Sequence, residues 1–135
     1  MRSRTLKRAV ALAGLAALAM AIVASQAQQA GFRRNLLQQA DLSVPGREVV
    51  QARVEIDPGA VVARHTHPGE EVTYVIDGSL TLEVDGAAPK TYGKGEVFIV
   101  PAGTIHGARN AAGGVATILA TYIVEKGKPL ATPAK

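Results

Sequence analysis

Short stretches of alternating apolar and polar residues, each ended by a glycine or proline turn, fill the chain from Glu48 to Val124. Alternation with a period of two is the pattern of a strand with one buried face. The Asp-Gly pairs at 77–78 and 85–86 are typical of tight hairpin turns. The clearest of these predicted strands are Glu48–Ile56, Glu71–Ile76, Ser79–Asp85, Val97–Val100 and Val115–Val124. Strands this short and this closely spaced predict an all-β sandwich or barrel.

The same pattern sets the expected domain limits. We expect one domain, a barrel over residues 48–124, with an N-terminal arm at 28–47 and a C-terminal tail at 125–135. Within the arm, the apolar spacing from Phe32 to Ala40 is compatible with a short helix as well as with an extended arm. The tail contains Pro129 and Pro133, which favour an irregular segment or an arm on a neighbouring subunit.

The first thirty residues show the order of features that is typical of a secretory signal peptide. A basic start is followed by a continuous small-apolar run, Ala9–Val23, and then by small residues that suit cleavage after residue 27, or as late as 30. A retained anchor is less favoured, because a membrane-spanning helix needs roughly 20 apolar residues. The sequence therefore predicts a periplasmic or secreted protein without a stable membrane anchor.

Removal of this segment changes the charge of the chain. Four of the fifteen basic residues precede Ala9 and none of the eleven acidic ones does, which leaves eleven of each in the mature protein. A neutral protein has no electrostatic basis for nucleic-acid binding. The chain has no cysteine, so an exported form has no disulfides, and its stability must come from a packed core, a bound metal or a partner subunit.

The chain has three histidines, and all of them lie near carboxylates or turns in two short segments. His65 and His67 are two positions apart and share one face of a strand. Glu71 has the same parity if the alternation resumes after Pro68-Gly69, whereas its neighbour Glu70 does not. His106 must come from another strand. Imidazole and carboxylate ligands suit a first-row divalent ion, and the lack of cysteine excludes thiolate sites.

The spacing of these residues resembles the two sequence motifs of the cupins, in particular those of small single-domain, quercetin-dioxygenase-like (type 2) cupins. In the first motif a glycine precedes His-x-His, a glutamate and a second glycine, here Gly59, His65, His67, Glu71 and Gly78. The second motif joins a glycine, Pro-x-Gly, a histidine and an asparagine, here Gly95, Pro101, Gly103, His106 and Asn110.

This resemblance implies a jelly-roll β-barrel with one divalent metal ion between His65, His67, Glu71 and His106, and it implies that the protein forms a homodimer. It also selects Glu71 over Glu70 as the carboxylate ligand. The ion could be copper, zinc, iron, manganese or nickel. Because the chain would be exported unfolded and divalent affinity rises toward copper, copper or zinc is expected as the native metal.

Three functions are open at this point. The first is a metal-dependent dioxygenase in which Glu71 also acts as a base. The second is a non-enzymatic module that binds a metal or a small ligand, and the third is an isomerase or lyase with Glu83 or Tyr92 as the base. The chain has only five aromatic residues, three Tyr and two Phe, so a small substrate is expected rather than a large aromatic one.

The remaining candidates receive simpler predictions. Tyr74 has the opposite parity to Glu71 and is expected to pack in the core, while Arg64 and Arg109 should face solvent. Asn110 could serve a turn or support a metal ligand. The positions of Thr81 and Tyr122 relative to a cavity are left open by the sequence.

Overall fold

The computed structural model describes residues 29–135, and within this range the chain forms strands and no α-helix. The strands are β1 (Phe32–Asp41), β2 (Arg47–Ile56), β3 (Val61–Thr66), β4 (Gly69–Asp77), β5 (Ser79–Val84), β6 (Lys90–Gly93), β7 (Val97–Val100), β8 (His106–Arg109), β9 (Ala116–Glu125) and β10 (Thr132–Pro133). The all-β prediction is confirmed. The predicted signal peptide, residues 1–27, lies outside the described residues, and residues 29–135 contain no helix of the length and apolar character needed to cross a membrane.

The strands form two five-stranded sheets in which all neighbours are antiparallel. The first sheet has the order β1-β2-β9-β4-β7, and the second has the order β10-β3-β8-β5-β6. From β2 to β5, and again from β6 to β10, consecutive strands alternate between the sheets. The chain therefore passes repeatedly from one sheet to the other, and the inner faces of the sheets enclose the core.

The core is built from the inward positions of both sheets. Along β2 every second residue is buried, and β9 repeats this pattern opposite it, with Ala52 beside Ala120 in the register. Leu80 and Leu82 of β5 cover this surface from the second sheet. Burial of aliphatic side chains on both inner faces provides the main stabilisation, about 25 cal/mol for each Å² of apolar surface removed from water.

The N-terminal segment adds a strand to the first sheet. Residues 32–40 do not form the short helix that their apolar spacing allowed, because they pair along β2 as the edge strand β1. A bidentate ion pair between Arg33 and Asp57, with N–O distances of 2.8 and 2.9 Å, fastens the start of this strand. Pairing with the next strand, β2, outweighs the weak local preference for a helix.

The C-terminal tail packs on its own chain. β10 pairs with β3, with Thr132 opposite Thr66 and Pro133 opposite His65. The amide of Ala134 also donates a hydrogen bond to the carbonyl of Arg64 at 3.0 Å. Residues 126–131 are irregular, as expected, whereas Thr132 and Pro133 form a strand that extends the second sheet beside the histidine-bearing strand of the same chain.

Candidate metal centre

From His65 to Val75 the odd-numbered side chains all point into the barrel, without a change of register. His67, Gly69, Glu71 and Thr73 are all buried, whereas the intervening even-numbered positions from Val72 onward are exposed. The alternation therefore does resume after Pro68, as the placement of Glu71 requires. His67 and Glu71 face the interior with exposures of 3% and 6%, and Glu70 has the opposite phase.

Gly69 allows this continuity. It lies on β4 opposite Val124 of β9, and a Cβ atom at this position would stand 1.9 Å from the carbonyl oxygen of Ile123. Any side chain at residue 69 would force β4 away from β9. The glycine thus lets the two strands approach closely between His67 and Glu71, which fixes the separation of these two side chains.

His106 reaches the same place from the second sheet. It begins β8 and lies directly opposite His65 of β3 in the strand register. The Pro101–Gly103 turn precedes it, with Gly103 at φ +69°, and the Gly103 amide donates to the carbonyl of His67 at 3.0 Å. This backbone bond joins the two sequence motifs, so the turn that aims His106 inward is itself attached to His67.

The four side chains converge on one point. Their ligand atoms all lie within 4.8 Å of one another. The Nε2 atoms of His65 and His67 are 3.1 Å apart, and Glu71 Oε2 lies 3.1 Å from His67 Nε2 and 3.2 Å from His106 Nε2. Two ligands bound about 2.1 Å from one ion, at bond angles of roughly 90–109°, are separated by about 3.0–3.4 Å. The observed contacts fit that range.

The backbone sets the tautomer of each imidazole. Nδ1 of His65 donates to the carbonyl of Ala63 at 2.7 Å, and Nδ1 of His106 donates to the carbonyl of Thr104 at 2.9 Å. Nδ1 of His67 donates to the carbonyl of Leu130 at 2.5 Å. A carbonyl only accepts hydrogen bonds, so in each neutral ring the lone pair is on Nε2, which faces the other ligands. Such a set of lone pairs around a carboxylate fits one divalent cation.

Hydrogen bonds hold Glu71 in its charged form. Burial alone would raise its pKa, but contacts with His106, His67 and Thr73 outweigh burial and lower the pKa. Thr73 Oγ1 donates to Oε1 of Glu71 at 2.7 Å, which turns Oε2 toward the histidines. Glu71 is therefore an ionised, oriented carboxylate, and a low pKa suits a ligand better than a general base.

The histidines differ in their protonation. Burial lowers the pKa of His65 to about 4, so this ring is neutral at neutral pH. For His106, burial also opposes the charged form, but hydrogen bonds to Glu71 and Thr104 give a net raised pKa. A metal ion that binds here would compete with a proton more at His106 than at His65.

A cavity inside the barrel adjoins the cluster and includes His65, Glu71 and His106 in its walls. The space between its lining side chains is about 400 Å³, including the part open to solvent. Tyr122 is 3% exposed and lines the cavity, with its ring 4.7 Å from that of His67. Burial and the charge of Glu71 raise the pKa of Tyr122, so its hydroxyl stays protonated.

Several other predicted residues lie away from the cluster. Tyr74 is 46% exposed on the outer face of β4, so the expectation that it packs in the core is wrong. Arg64 and Arg109 are at the surface as predicted, paired with Asp85 and Glu83 at 2.8 Å each.

Asn110 and Tyr92 also have roles outside the centre. The buried side chain of Asn110 donates to the carbonyls of Ile56 and Gly114 and accepts from the amide of Ala112, which is a turn role. Tyr92 packs against Phe98 with ring centroids 4.9 Å apart and is absent from the cavity lining. Thr81 is buried and bonds to Thr91.

Sequence reasoning missed three contributors to the site. Thr73 orients Glu71, the Leu130 carbonyl orients His67, and Arg34 enters the cavity from β1. Thr73 could have been found from its parity with Glu71. The other two depend on where β1 and the tail pair, which no local pattern reveals.

Germin-like proteins of plants are similar in sequence to somewhat more than half of this chain. Germin-like protein 1 of Brassica napus is 35% identical over 82 residues, which are 57% of this chain and 40% of that protein. Germin-like protein subfamily 2 member 2 of Arabidopsis thaliana is 33% identical over 87 residues, 58% of this chain and 40% of that protein. The chain thus spans about two fifths of the length of these relatives.

Solved structures with the same fold include the polyketide cyclase RemF from Streptomyces resistomycificus, with a TM-score of 0.63, 24% identity and coverage of 80% of this chain and 74% of that one. KdgF from Halomonas sp. has a TM-score of 0.60, 22% identity and coverage of 73% and 84%. A variant of Bacillus subtilis oxalate decarboxylase OxdC has a TM-score of 0.55 and 24% identity, with coverage of 63% and 23%.

The family model for the cupin domain (Cupin_2) matches residues 52–128, which run from β2 past the end of β9. The matched segment includes all four residues of the cluster and exceeds half of the chain. The expected jelly-roll fold is confirmed by this match and by the solved structures. The chain belongs to the cupin domain family, Cupin_2.

Proposed function

We propose that this protein binds one divalent transition metal ion through His65, His67, Glu71 and His106 and acts as a metal-dependent dioxygenase on a small organic substrate. The observation that carries the proposal is the convergence of the four side chains: Nε2 of His67 and of His106 lie 3.1 and 3.2 Å from the charged Oε2 of Glu71, and Nε2 of His65 lies 3.1 Å from that of His67. With both rings neutral, the Nε2 lone pairs of His65 and His67 face each other and would repel, whereas a divalent ion between them turns the same arrangement into attraction.

The residues around the ion would have separate tasks. A redox-active divalent ion supplies Lewis acidity and electron transfer to substrate and dioxygen. Four protein ligands leave room for further ligands on a five- or six-coordinate ion. Thr73 holds Glu71 in its orientation, and apolar side chains such as Leu80 and Ile118 exclude water from the cavity. Three aromatic rings line the cavity, which supports a small substrate over a multi-ring one.

Zinc titration of the mature protein tests the metal site. We expect wild type to bind one zinc ion with a rise in melting temperature, since a ligand at 100 times its Kd adds about 2.7 kcal/mol to stability. E71Q should lose this rise. E70Q is the matched control. The carboxylate of Glu70 lies on the opposite face of β4 from that of Glu71, so this variant should behave as wild type. Equal zinc responses in E71Q and wild type would refute the ligand set.

Oxygen uptake tests the reaction. Protein loaded separately with copper, iron, manganese or nickel should consume dioxygen with at least one enol- or catechol-type substrate. H106Q, with its ligand removed, should not. If no metal-loaded form consumes dioxygen with any of these substrates, the dioxygenase proposal is excluded and the non-enzymatic binding module remains.

One observation favours a non-enzymatic binding module as the second candidate. Outside the cluster, the titratable side chains that line the cavity are Arg34 and Tyr122, and neither can accept a proton near neutral pH. Glu83, considered as the base of an isomerase or lyase, pairs with Arg109 at the surface. An isomerase would therefore have to use Glu71 itself.

We also propose export to the periplasm or the outside of the cell, with copper or zinc as the native ion. The basic, apolar and small-residue order of the first thirty residues supports export. By contrast, oxalate decarboxylase of Bacillus subtilis, which has a similar fold, is described as having Mn(II) centres. Mass spectrometry of the periplasmic form should find a start after residue 27 or 30, and elemental analysis of the same sample should find copper or zinc. Manganese or iron there would contradict the metal assignment.

A homodimer is the final part of the proposal, and the outer apolar face of β4 and β7 supports it. This face consists of Val72, Tyr74, Ile76, Val97 and Ile99, which are 39–64% exposed. Val72 lies beside Ile99 and Tyr74 beside Val97, so the patch is continuous, and β7 is an edge strand. Contiguous exposed apolar surface of this kind is typical of subunit interfaces.

Sedimentation measurements test the dimer. Wild type should sediment as a dimer, and the substitution Ile99→Lys should give a folded monomer. Leu36→Lys is a control of similar exposure on β1, outside the patch, and should stay dimeric. A monomeric wild type, or a dimeric Ile99→Lys protein, would refute this interface.

A further inference from the structure

Arg34 reaches the interior of the barrel from the edge strand β1. It lies opposite Val54, a buried position of β2, and its side chain lines the cavity that also exposes Glu71 and His106. Its guanidinium carbon is 5.5 Å from the centre of the Phe32 ring and 5.9 Å from that of Tyr122. Since the Tyr122 ring also contacts His67, Arg34 is one side chain away from the metal cluster.

The surroundings of Arg34 differ from those of its neighbour. Arg33 forms a bidentate pair with Asp57 and a further bond to Glu55. Arg34 has no carboxylate within ion-pair distance among residues 29–135, and its buried Nε lacks a hydrogen-bond partner there. Buried donors are satisfied in nearly all proteins, most strictly when they are charged. A guanidinium that lines a cavity beside the Tyr122 hydroxyl, without a carboxylate partner, indicates a place for an anionic ligand.

The charge of the cavity defines that ligand. Arg34 and Glu71 are the charged side chains in its lining. With a divalent ion on the cluster, the cavity would carry two positive charges for the ion and one for Arg34 against one negative charge, so it would attract an anion. The planar guanidinium matches the two oxygens of a carboxylate, and most of the remaining lining is apolar.

We infer that Arg34 is an anion-binding residue, which holds the carboxylate of a small organic acid while the body of the acid lies in the apolar cavity beside the metal cluster. The inference rests on the proposed function in one respect only, namely that the acid would lie beside a bound metal ion. It assigns a specificity-determining role to β1, a strand outside both histidine-bearing motifs.

Binding measurements by NMR titration test the inference in both the metal-free and the zinc-loaded protein. The probes are lactate, malonate and benzoate, each compared with its uncharged amide. Wild type should bind at least one acid and prefer it to the amide. R34Q should bind that acid about ten- to a hundred-fold more weakly, as expected for the loss of a charge-assisted hydrogen bond. R34K should recover part of the affinity, and R33Q, the matched control, should bind as wild type.

The outcomes separate this inference from the proposed function. Melting temperature and zinc content of R34Q should match wild type, which shows that the loss lies in the acid site. Equal acid affinity in R34Q and wild type, equal binding of acids and amides, or no acid binding by wild type in either state would overturn the role of Arg34. If wild type holds no zinc but still binds acids through Arg34, the metal function fails and the inference stands.

Discussion

Nδ1 of His67 donates a hydrogen bond of 2.5 Å to the backbone carbonyl of Leu130, although 63 positions separate the two residues in the chain. The bond leaves the Nε2 lone pair of His67 directed at Glu71 and His65. It also shows that the C-terminal tail orients a residue of the candidate metal site, since β10 then continues along β3 beside His65.

Removal of residues 129–135 should therefore weaken zinc binding. Loss of a partner that orients a ligand costs about 10- to 100-fold in metal affinity, which competition with a zinc indicator would measure. L130A is the control, because it keeps the backbone carbonyl and removes only the side chain. Its zinc affinity should stay near that of wild type, while an unchanged affinity in the truncated protein would contradict the role of the tail.

Thr73→Val should reduce zinc affinity by a similar factor, about 10- to 100-fold, because the valine cannot donate to Oε1 of Glu71. Thr73 is fully buried, and valine has nearly the same shape, so the fold should be kept. Thr73→Ser retains the donor and should stay close to wild type. A valine variant with the affinity of the serine variant would show that the hydrogen bond does not orient the carboxylate.

Gly69→Ala should destabilise the protein by about 3 kcal/mol or more, because its Cβ would stand 1.9 Å from the backbone of Ile123 and overpack the β4–β9 contact. Urea unfolding measures this loss. Gly113→Ala is the matched control, since nothing lies within 4 Å of a Cβ there. If both alanine variants unfold at the same urea concentration, the close approach of the strands is not required.

The Arg33–Asp57 pair should make stability depend on acid pH. The hydrogen bond from Arg33 lowers the pKa of Asp57 below its ordinary 3.8, in spite of desolvation. The stabilisation is therefore fully present above about pH 3.8 and is lost as pH falls through the lower pKa of the folded state. R33Q should be less stable than wild type at about pH 5–7, and the difference should shrink in stronger acid.

Urea midpoints measured across this pH range provide the check. Asp57→Asn removes the titrating group, so in that background the pH-dependent part of the R33Q effect should be largely absent. A difference between wild type and R33Q that grows as the pH falls would contradict the sign of this linkage.

Much of the architecture was predictable, because local alternation predicts strands and motif spacing identifies the four residues that converge in the structure. The prediction of β7 was correct at both ends, and that of β5 to within one residue. Tyr74 shows the limit of this reasoning. Its parity relative to Glu71 was predicted correctly, but both faces of β4 carry apolar residues, so the pattern alone did not reveal that the face with Glu71 is the buried one.

The N-terminal strand was not predictable for a related reason. Leu36 and Leu37 suggested an apolar helical stripe, yet they are 61% and 57% exposed in β1. The strand is selected by its pairing with β2 across an intervening turn, which is a long-range effect. Arg34 could not be assigned to the cavity without that pairing, and neither could the Leu130 carbonyl without the pairing of β10.

The acceptor that Leu130 offers to His67 is a main-chain oxygen, which every amino acid carries. Substitutions in the connection between β9 and β10 should therefore be tolerated widely, apart from those that disturb its packing. A one-residue insertion or deletion in residues 126–131 is a different event, because it would present the wrong carbonyl to the imidazole or shift β10 against β3. In this segment the number of residues is under stricter constraint than their identity.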